Sequence, residues 1–262
     1  VDLPRTSSTT PHLRILGSAG STNDVLAELV SAGDEPSFST VVTLDQTAGR
    51  GRLGRVWTAP AGKTAAVSVL VRIAHSAGFP FGWIPLLAGA AMCTSVDALV
   101  GGGRTGLKWP NDVQVDGLKV CGILAELVPA ADAVILGAGI NLTLGSDELP
   151  VPTATSLALA GVAERGDDLV DLVLSSYLAT LAELVSRLEA TPGDPSGSGI
   201  HALVSGWCRT LGREVRVSLP DGSDIFGTAL ALDATGRLVV HPSGGGDTVA
   251  VAAGDVTHLR YE

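Results

Sequence analysis

Apolar positions along the chain change their period several times, and each change marks an element. Residues 12–16 predict a short strand; after it, Ser21-Thr22-Asn23-Asp24 leads into Val25, Leu26, Leu29 and Val30 at helical spacing. Ser21 with Asp24 three positions on predicts a helix start closed by a capping box. Residues 40–44 are a β-branched run and residues 64–73 alternate over a longer strand, with a loop of glycine and arginine between them. A helix within residues 82–100 is apolar enough to be buried, residues 118–128 and 133–142 predict two buried strands, and residues 167–188 predict an amphipathic helix. Strands with helices gathered around them predict an α+β fold, a mixed sheet with helices packed around it.

Beyond residue 189 the pattern breaks. Residues 191–199 are rich in proline, glycine and serine and predict a surface loop. From residue 212 the chain turns to short strands, at 215–219, 225–232, 238–241 and 249–252, separated by turn signals such as Asp221-Gly222. That pattern predicts a small all-β barrel, with Gly244–Gly246 as a hairpin tip and not a phosphate cradle. We therefore divide the chain into residues 1–211 and a C-terminal domain of residues 212–262.

Charge narrows the function classes. A formal net charge of -10 opposes non-specific binding to DNA or to anionic lipid. The greasiest stretch, residues 84–93, is too short to span a bilayer, and residues 1–10 lack the apolar core of a secretion signal. Cys93, Cys121 and Cys208 are widely separated and odd in number, which indicates neither a disulfide framework nor a zinc site. These features predict a soluble, cytoplasmic protein with no membrane partner. Yet between Asp45 and Asp97 there is no acidic residue, while Arg50, Arg52, Arg55, Lys63 and Arg72 fall in that interval. Either a site for a small anion has been built there, or the segment is a solvated loop.

Gly49-Arg50-Gly51-Arg52-Leu53-Gly54 satisfies the GxGxxG pattern, but Pro60 and Gly62 break the helix that a dinucleotide fingerprint needs next. Its arginines suit a loop that folds over a polyanion. Lys108-Trp109-Pro110-Asn111-Asp112 predicts a turn between two strands at one end of the sheet. Lys119 sits in an otherwise apolar strand, either at its exposed start or as a desolvated cation poised for an anionic ligand. In Gly137-Ala138-Gly139-Ile140-Asn141, small residues let a ligand approach the backbone.

Together these stretches resemble the biotin protein ligase family: Ser21-Thr22-Asn23, the run from Gln46 to Trp57, Lys108 to Asp112, Lys119-Val120-Cys121-Gly122-Ile123-Leu124 and Gly137 to Asn141 occur in the family's order. The resemblance covers about the first 200 residues, and the C-terminal barrel looks like the family's last, SH3-like domain. It implies a class II synthetase-like fold and a ligase that forms biotinyl-adenylate from biotin and ATP, then transfers biotin to a lysine of a biotin carboxyl carrier domain of an acyl-CoA carboxylase. It also implies roles. Ser21, Thr22 and Gln46 would meet the ureido group of biotin, with Asn23, Gly49, Gly51 and Gly122 around it. Arg50, Arg52 and Lys119 would be catalytic, near the carboxylate and α-phosphate. Arg52, Arg55, Trp57, Lys108, Asn111, Asp112, Lys119 and Asn141 would lie on the ATP side, although turn or cap chemistry alone would also explain the asparagines and Asp112. Mg²⁺ would arrive with ATP, without a direct protein cage.

Lipoate ligases and octanoyl transferases share the fold, but their acids offer no ureido group to match Ser21, Thr22 and Gln46. Some relatives are DNA-binding repressors; the roughly 20 residues before Ser21 are too few for a helix-turn-helix, so a monofunctional enzyme without DNA partner is expected. A catalytically idle biotin-binding protein would not need Lys119 and the whole arginine loop. The sequence leaves the oligomeric state open. Residues 48–57 and 143–155 lack periodic apolar anchors and are expected to be mobile without ligand.

Overall fold

The structure, a computed structural model, describes residues 1–10, 12–73, 79–191 and 194–259. In chain order the elements are α1 (Pro4–Thr9), β1 (Leu13–Leu16), α2 (Thr22–Ala32), β2 (Thr40–Thr43), β3 (Gly49–Arg50), β4 (Val56–Trp57), β5 (Thr64–Arg72), α3 (Trp83–Val100), β6 (Thr105–Lys108), β7 (Asp112–Val115), β8 (Leu118–Val128), β9 (Ala133–Asn141), α4 (Gly166–Ala190) and α5 (Ile200–Trp207). The C-terminal strands are β10 (Glu214–Ser218), β11 (Asp224–Leu232), β12 (Leu238–Pro242), β13 (Val249–Val251) and β14 (Asp255–His258). The mixed sheet has seven strands in the order β1-β2-β5-β9-β8-β7-β6, of which β1 and β2 are parallel and the other pairs antiparallel.

Alternation along β5 decides what each face of the sheet carries. Val67, Val69 and Val71 point into the large core shared with α3 and α4, whereas Leu70 joins Leu26, Val30 and Val41 under α2. The helix α3 is buried on nearly all sides, as its unbroken apolar sequence requires. The C-terminal strands form an antiparallel sheet in the order β13-β12-β11-β10-β14, and its interior residues, Val215, Val217 and Val240 among them, belong to the same core. The Trp83 indole donates to the Ala234 carbonyl at 3.0 Å and the Trp109 indole to the Gly236 carbonyl at 3.2 Å, so two buried tryptophans hold the turn between β11 and β12. Gly236 has φ +82°, and a Cβ there would lie 3.0 Å from the Gly82 backbone, so glycine is required at this contact.

Two features depart from the periodic pattern. Helix α1, Pro-Arg-Thr-Ser-Ser-Thr, has no apolar stripe. It is held from outside: the Asp171 carboxylate on α4 accepts the Arg5 amide at 3.0 Å and the Thr6 amide and hydroxyl at 2.8 Å each. Strand β14 closes the edge of the C-terminal sheet beside β10, where the sequence pattern marks only four strands.

Burial pushes the Asp171 carboxyl up, but the amides of Thr6 and Arg5, the Thr6 hydroxyl and the Arg5 charge outweigh it and hold the group below the usual carboxylate range. A carboxyl whose folded value is depressed adds stability above its unfolded value of about 3.9 and loses that contribution as pH falls through the folded value. Asp171→Asn is therefore expected to cost about 2–3 kcal/mol in urea unfolding at neutral pH. The gap to the parent should close as pH is lowered from about 5 toward about 3.

Candidate active site

The cleft begins with what the sheet lacks. On the face covered by α2, the register sets Ala66 beside Gly139 and Gly139 beside Gly122; one step along, Ser68 stands beside Gly137 and Gly137 beside Leu124. These small residues leave a cleft of about 310 Å³ between the sheet, the N-terminus of α2, the β3–β4 hairpin, the β6–β7 turn and β14. Side chains of the protein fill part of the saved space. A Cβ on Gly137 would lie 2.5 Å from Asn23 Oδ1, and one on Gly139 would lie 2.7 Å from the Trp57 ring. One on Gly122 would lie 3.0 Å from Lys119 Nζ.

One end of the cleft is a connected polar set. Gln46 Oε1 accepts the Thr22 amide at 3.0 Å and the Thr22 hydroxyl at 3.3 Å. Ser68 Oγ, fully buried, lies 2.7 Å from Thr22 Oγ1 and 2.5 Å from Asn23 Oδ1. Asn23 Nδ2 donates to Glu126 Oε2 at 2.5 Å. Beside this set, Arg50 donates to both oxygens of Asp24, at 2.5 and 2.7 Å, and to Glu126 Oε1 at 3.1 Å. The hydrogen bond from Arg50 holds the Asp24 carboxyl below its usual range against the opposing effect of burial.

The other end is cationic. Lys119 Nζ is 2.6 Å from Asp112 Oδ1 and 5.6 Å from the centre of the Trp57 ring. Arg52 Nη1 donates to Asn111 Oδ1 at 3.2 Å and to the Gly254 carbonyl at 3.5 Å, while Asn111 Nδ2 donates to the Ile123 carbonyl at 2.9 Å. Arg55 pairs with Asp255 on β14. Burial pushes both Arg52 and Lys108 down from their ordinary values, with Asp112 acting in the opposite sense. Among the described residues neither has a carboxylate within salt-bridge distance, so their charges reach into the cleft without direct neutralisation. The Trp57 indole N–H is buried and finds no acceptor among the described residues.

Comparison with known proteins places this geometry. The profile described as the biotin/lipoate A/B protein ligase family matches residues 17–141, and that of the biotin protein ligase C-terminal domain matches residues 210–259. A biotin–[acetyl-CoA-carboxylase] ligase of Mycobacterium tuberculosis is 40% identical over 252 residues, 95% of this chain and 90% of its own length. The chain belongs to the biotin protein ligase family. A bifunctional ligase/repressor of Bacillus spizizenii is 30% identical, covering 89% of this ligase and 70% of that one. The solved Aquifex aeolicus biotin protein ligase in complex with biotin and ATP superposes with a TM-score of 0.74 at 25% identity, over 95% of this chain and 99% of that one.

Most of the residues singled out from the ligase's sequence line the one cleft: Ser21, Thr22, Asn23 and Gln46 at the polar end, Gly51, Arg52, Arg55 and Trp57 on the hairpin, Lys108, Asn111 and Asp112 on the turn, and Lys119 and Gly122 on β8. Three expectations need correction. Asn141 is buried outside the cleft, where its amide donates to the Thr155 carbonyl at 2.8 Å. Gly49 is buried behind the cleft, where a Cβ would lie 2.5 Å from Gln46 Nε2 and 2.6 Å from the Trp57 carbonyl; it permits packing and does not line the site. Arg50 lines the cleft as expected, with its guanidinium paired to two carboxylates. Ser21 does cap α2 by position, but its side chain makes no cap bond and Asp24 is engaged by Arg50; Gln46 accepts the first helical amide instead.

The end of residues 143–155 lies against β8. The Lys119 amide donates to the Thr153 carbonyl at 2.8 Å and the Thr155 amide to the Lys119 carbonyl at 2.8 Å, pinning the segment's end beside β8. Residues 48–57 fold as a hairpin tied down by Arg50, with Leu53 and Val56 exposed at its far side. Ser68 and Glu126 escaped the sequence reading; each is a polar residue flanked by apolar ones in its strand, the same signal that marked Lys119.

Gly139→Ala should leave the fold intact at a cost of about 1–3 kcal/mol and push the Trp57 ring off the sheet. Acrylamide quenching of tryptophan fluorescence measures this. We expect stronger quenching than in the parent, because the displaced indole becomes accessible.

Proposed function

We infer that the protein is an ATP-dependent biotin protein ligase that forms biotinyl-5'-adenylate and pyrophosphate from biotin and MgATP, then transfers biotin to a lysine of a biotin carboxyl carrier domain of an acyl-CoA carboxylase. The observation that carries this reading is one cleft with two unlike ends. Thr22, Gln46 and their neighbours offer paired donors and acceptors, and Lys119, Arg52 and Lys108 offer positive charge. A ureido ring can exchange bonds with the first set, whereas the aliphatic tail of a lipoyl or octanoyl acid offers those groups neither donor nor acceptor.

The chemistry follows from the charges. A carboxylate and a triphosphate repel, so the enzyme's task is to bring them together and neutralise them while pyrophosphate leaves. Lys119 stands at the cationic end, held toward Asp112 and backed by Trp57. Arg52 and Lys108 add charge on the nucleotide side. The acyl phosphate is then kept from water under the hairpin until the acceptor amine attacks it. In this reading the catalytic unit is residues 1–211, and residues 212–262 supply Asp255, Val256 and Thr257 to the cleft wall. Three free, buried cysteines support a reducing, cytoplasmic location.

Mass spectrometry of a carrier domain incubated with the protein, biotin and MgATP tests the function: one added biotin on one lysine is expected, and an unmodified domain would contradict it. Lys119→Ala should retain the fold and lower biotin-dependent pyrophosphate release by at least about a hundredfold. Arg52→Gly loses a charged contact that acts mainly on the retained adenylate; escape should rise about ten- to a hundredfold. Labelling of serum albumin by the variant but not by the parent, read on a biotin blot, checks this outcome.

A further inference from the structure

Glu126 is a carboxylate in strand β8, whose one other charged residue is Lys119, and lies on the same face as Gly122 and Leu124. Its Oε2 accepts Asn23 Nδ2 from α2, and its Oε1 accepts Arg50 Nη2 from the hairpin. The two partners lie 103 and 76 residues away in sequence, and both line the cleft. Asn23 is buried, and Gly137 leaves its amide only the room it occupies. Beyond it, Ser68 links Asn23 to Thr22, and Thr22 to Gln46. An exposed ion pair would contribute little. A carboxylate that also accepts from a buried amide is a stronger, geometrically exacting contact.

We propose that Glu126 is a positioning residue for ligation: its carboxylate fixes the arginine hairpin and the polar end of the cleft to one another, so that docking of the hairpin and recognition of the acid are coupled. Glu126 itself does not line the cleft. It acts through Asn23 on the set that meets the acid, and through Arg50 on the hairpin that covers the adenylate. The inference rests on the biotin ligase reading and adds a residue to it.

Two substitutions separate the two contacts. Glu126→Gln keeps a carbonyl oxygen for Asn23 but removes the charge that faces Arg50, whereas Glu126→Ala removes both. KM for biotin and for ATP in pyrophosphate release, and the escape rate of preformed adenylate, are measured for each. For Glu126→Ala we expect a biotin KM raised about tenfold, an ATP KM within about twofold of the parent, and faster escape. For Glu126→Gln we expect a biotin KM within about twofold and escape about three- to tenfold faster. Equal rises in both KM values for Glu126→Ala, or parental escape for Glu126→Gln, would overturn the proposal. If the alanine form does not fold, the glutamine form decides alone. A parent that releases no pyrophosphate with biotin would instead sink the ligase reading itself, which keeps the two failures distinct.

Discussion

Ala66, Gly139 and Gly122 stand side by side across three neighbouring strands, and at that place the sheet has almost no side-chain volume on the face that α2 and the hairpin cover. Everything else in the site depends on this bare patch. Strands packed on both faces ordinarily fill each position with a β-branched or aromatic residue. Here the opposite face obeys that rule, with Val67, Ile123 and Ile140 in the core, so the sheet stays anchored while one face is left open. Trp57 and Lys119 come to rest on the bare patch, and Asn23 beside it over Gly137, because only there can large side chains lie flat against the backbone.

The open face would collapse or slide without polar ties around it. Gln46, Thr22, Ser68, Asn23, Glu126 and Arg50 form a continuous chain of contacts from the loop before the hairpin to the hairpin itself. Each link reduces the freedom of the next, which is why polar groups can be held in a cleft at defined positions. On the far side, Arg52 reaches the Gly254 carbonyl just before β14 and Arg55 reaches Asp255 on it, so the C-terminal domain takes part in holding the same hairpin.

Much of this was legible in the residues. The strands flanking the cleft, the turn at Lys108 to Asp112 and the isolated Lys119 follow from apolar period and its interruptions. What could not be read was which partner each polar group finds. Gly-Arg-Gly-Arg does not reveal that Arg50 is claimed by acids 26 and 76 residues away while Arg52 stays near the cleft. Likewise Asp24 suits a capping box by spacing, but the guanidinium is the stronger partner. Asn141 belongs to a motif whose other members line the cleft, yet β9 turns its amide toward Thr155. Helix α1 and the pinned end of residues 143–155 depend on backbone hydrogen bonds, which leave no mark in side-chain periodicity.

The central claim is that the two ends of the cleft act on one acid, the polar end selecting it and the cationic end activating it. Pyrophosphate release from MgATP, measured in parallel with biotin and with octanoate at equal concentrations, tests this most directly. Release is expected with biotin and, with octanoate, release lower by at least about a hundredfold, since the aliphatic acid offers the Thr22 and Gln46 groups neither donor nor acceptor. Comparable release with both acids would contradict it.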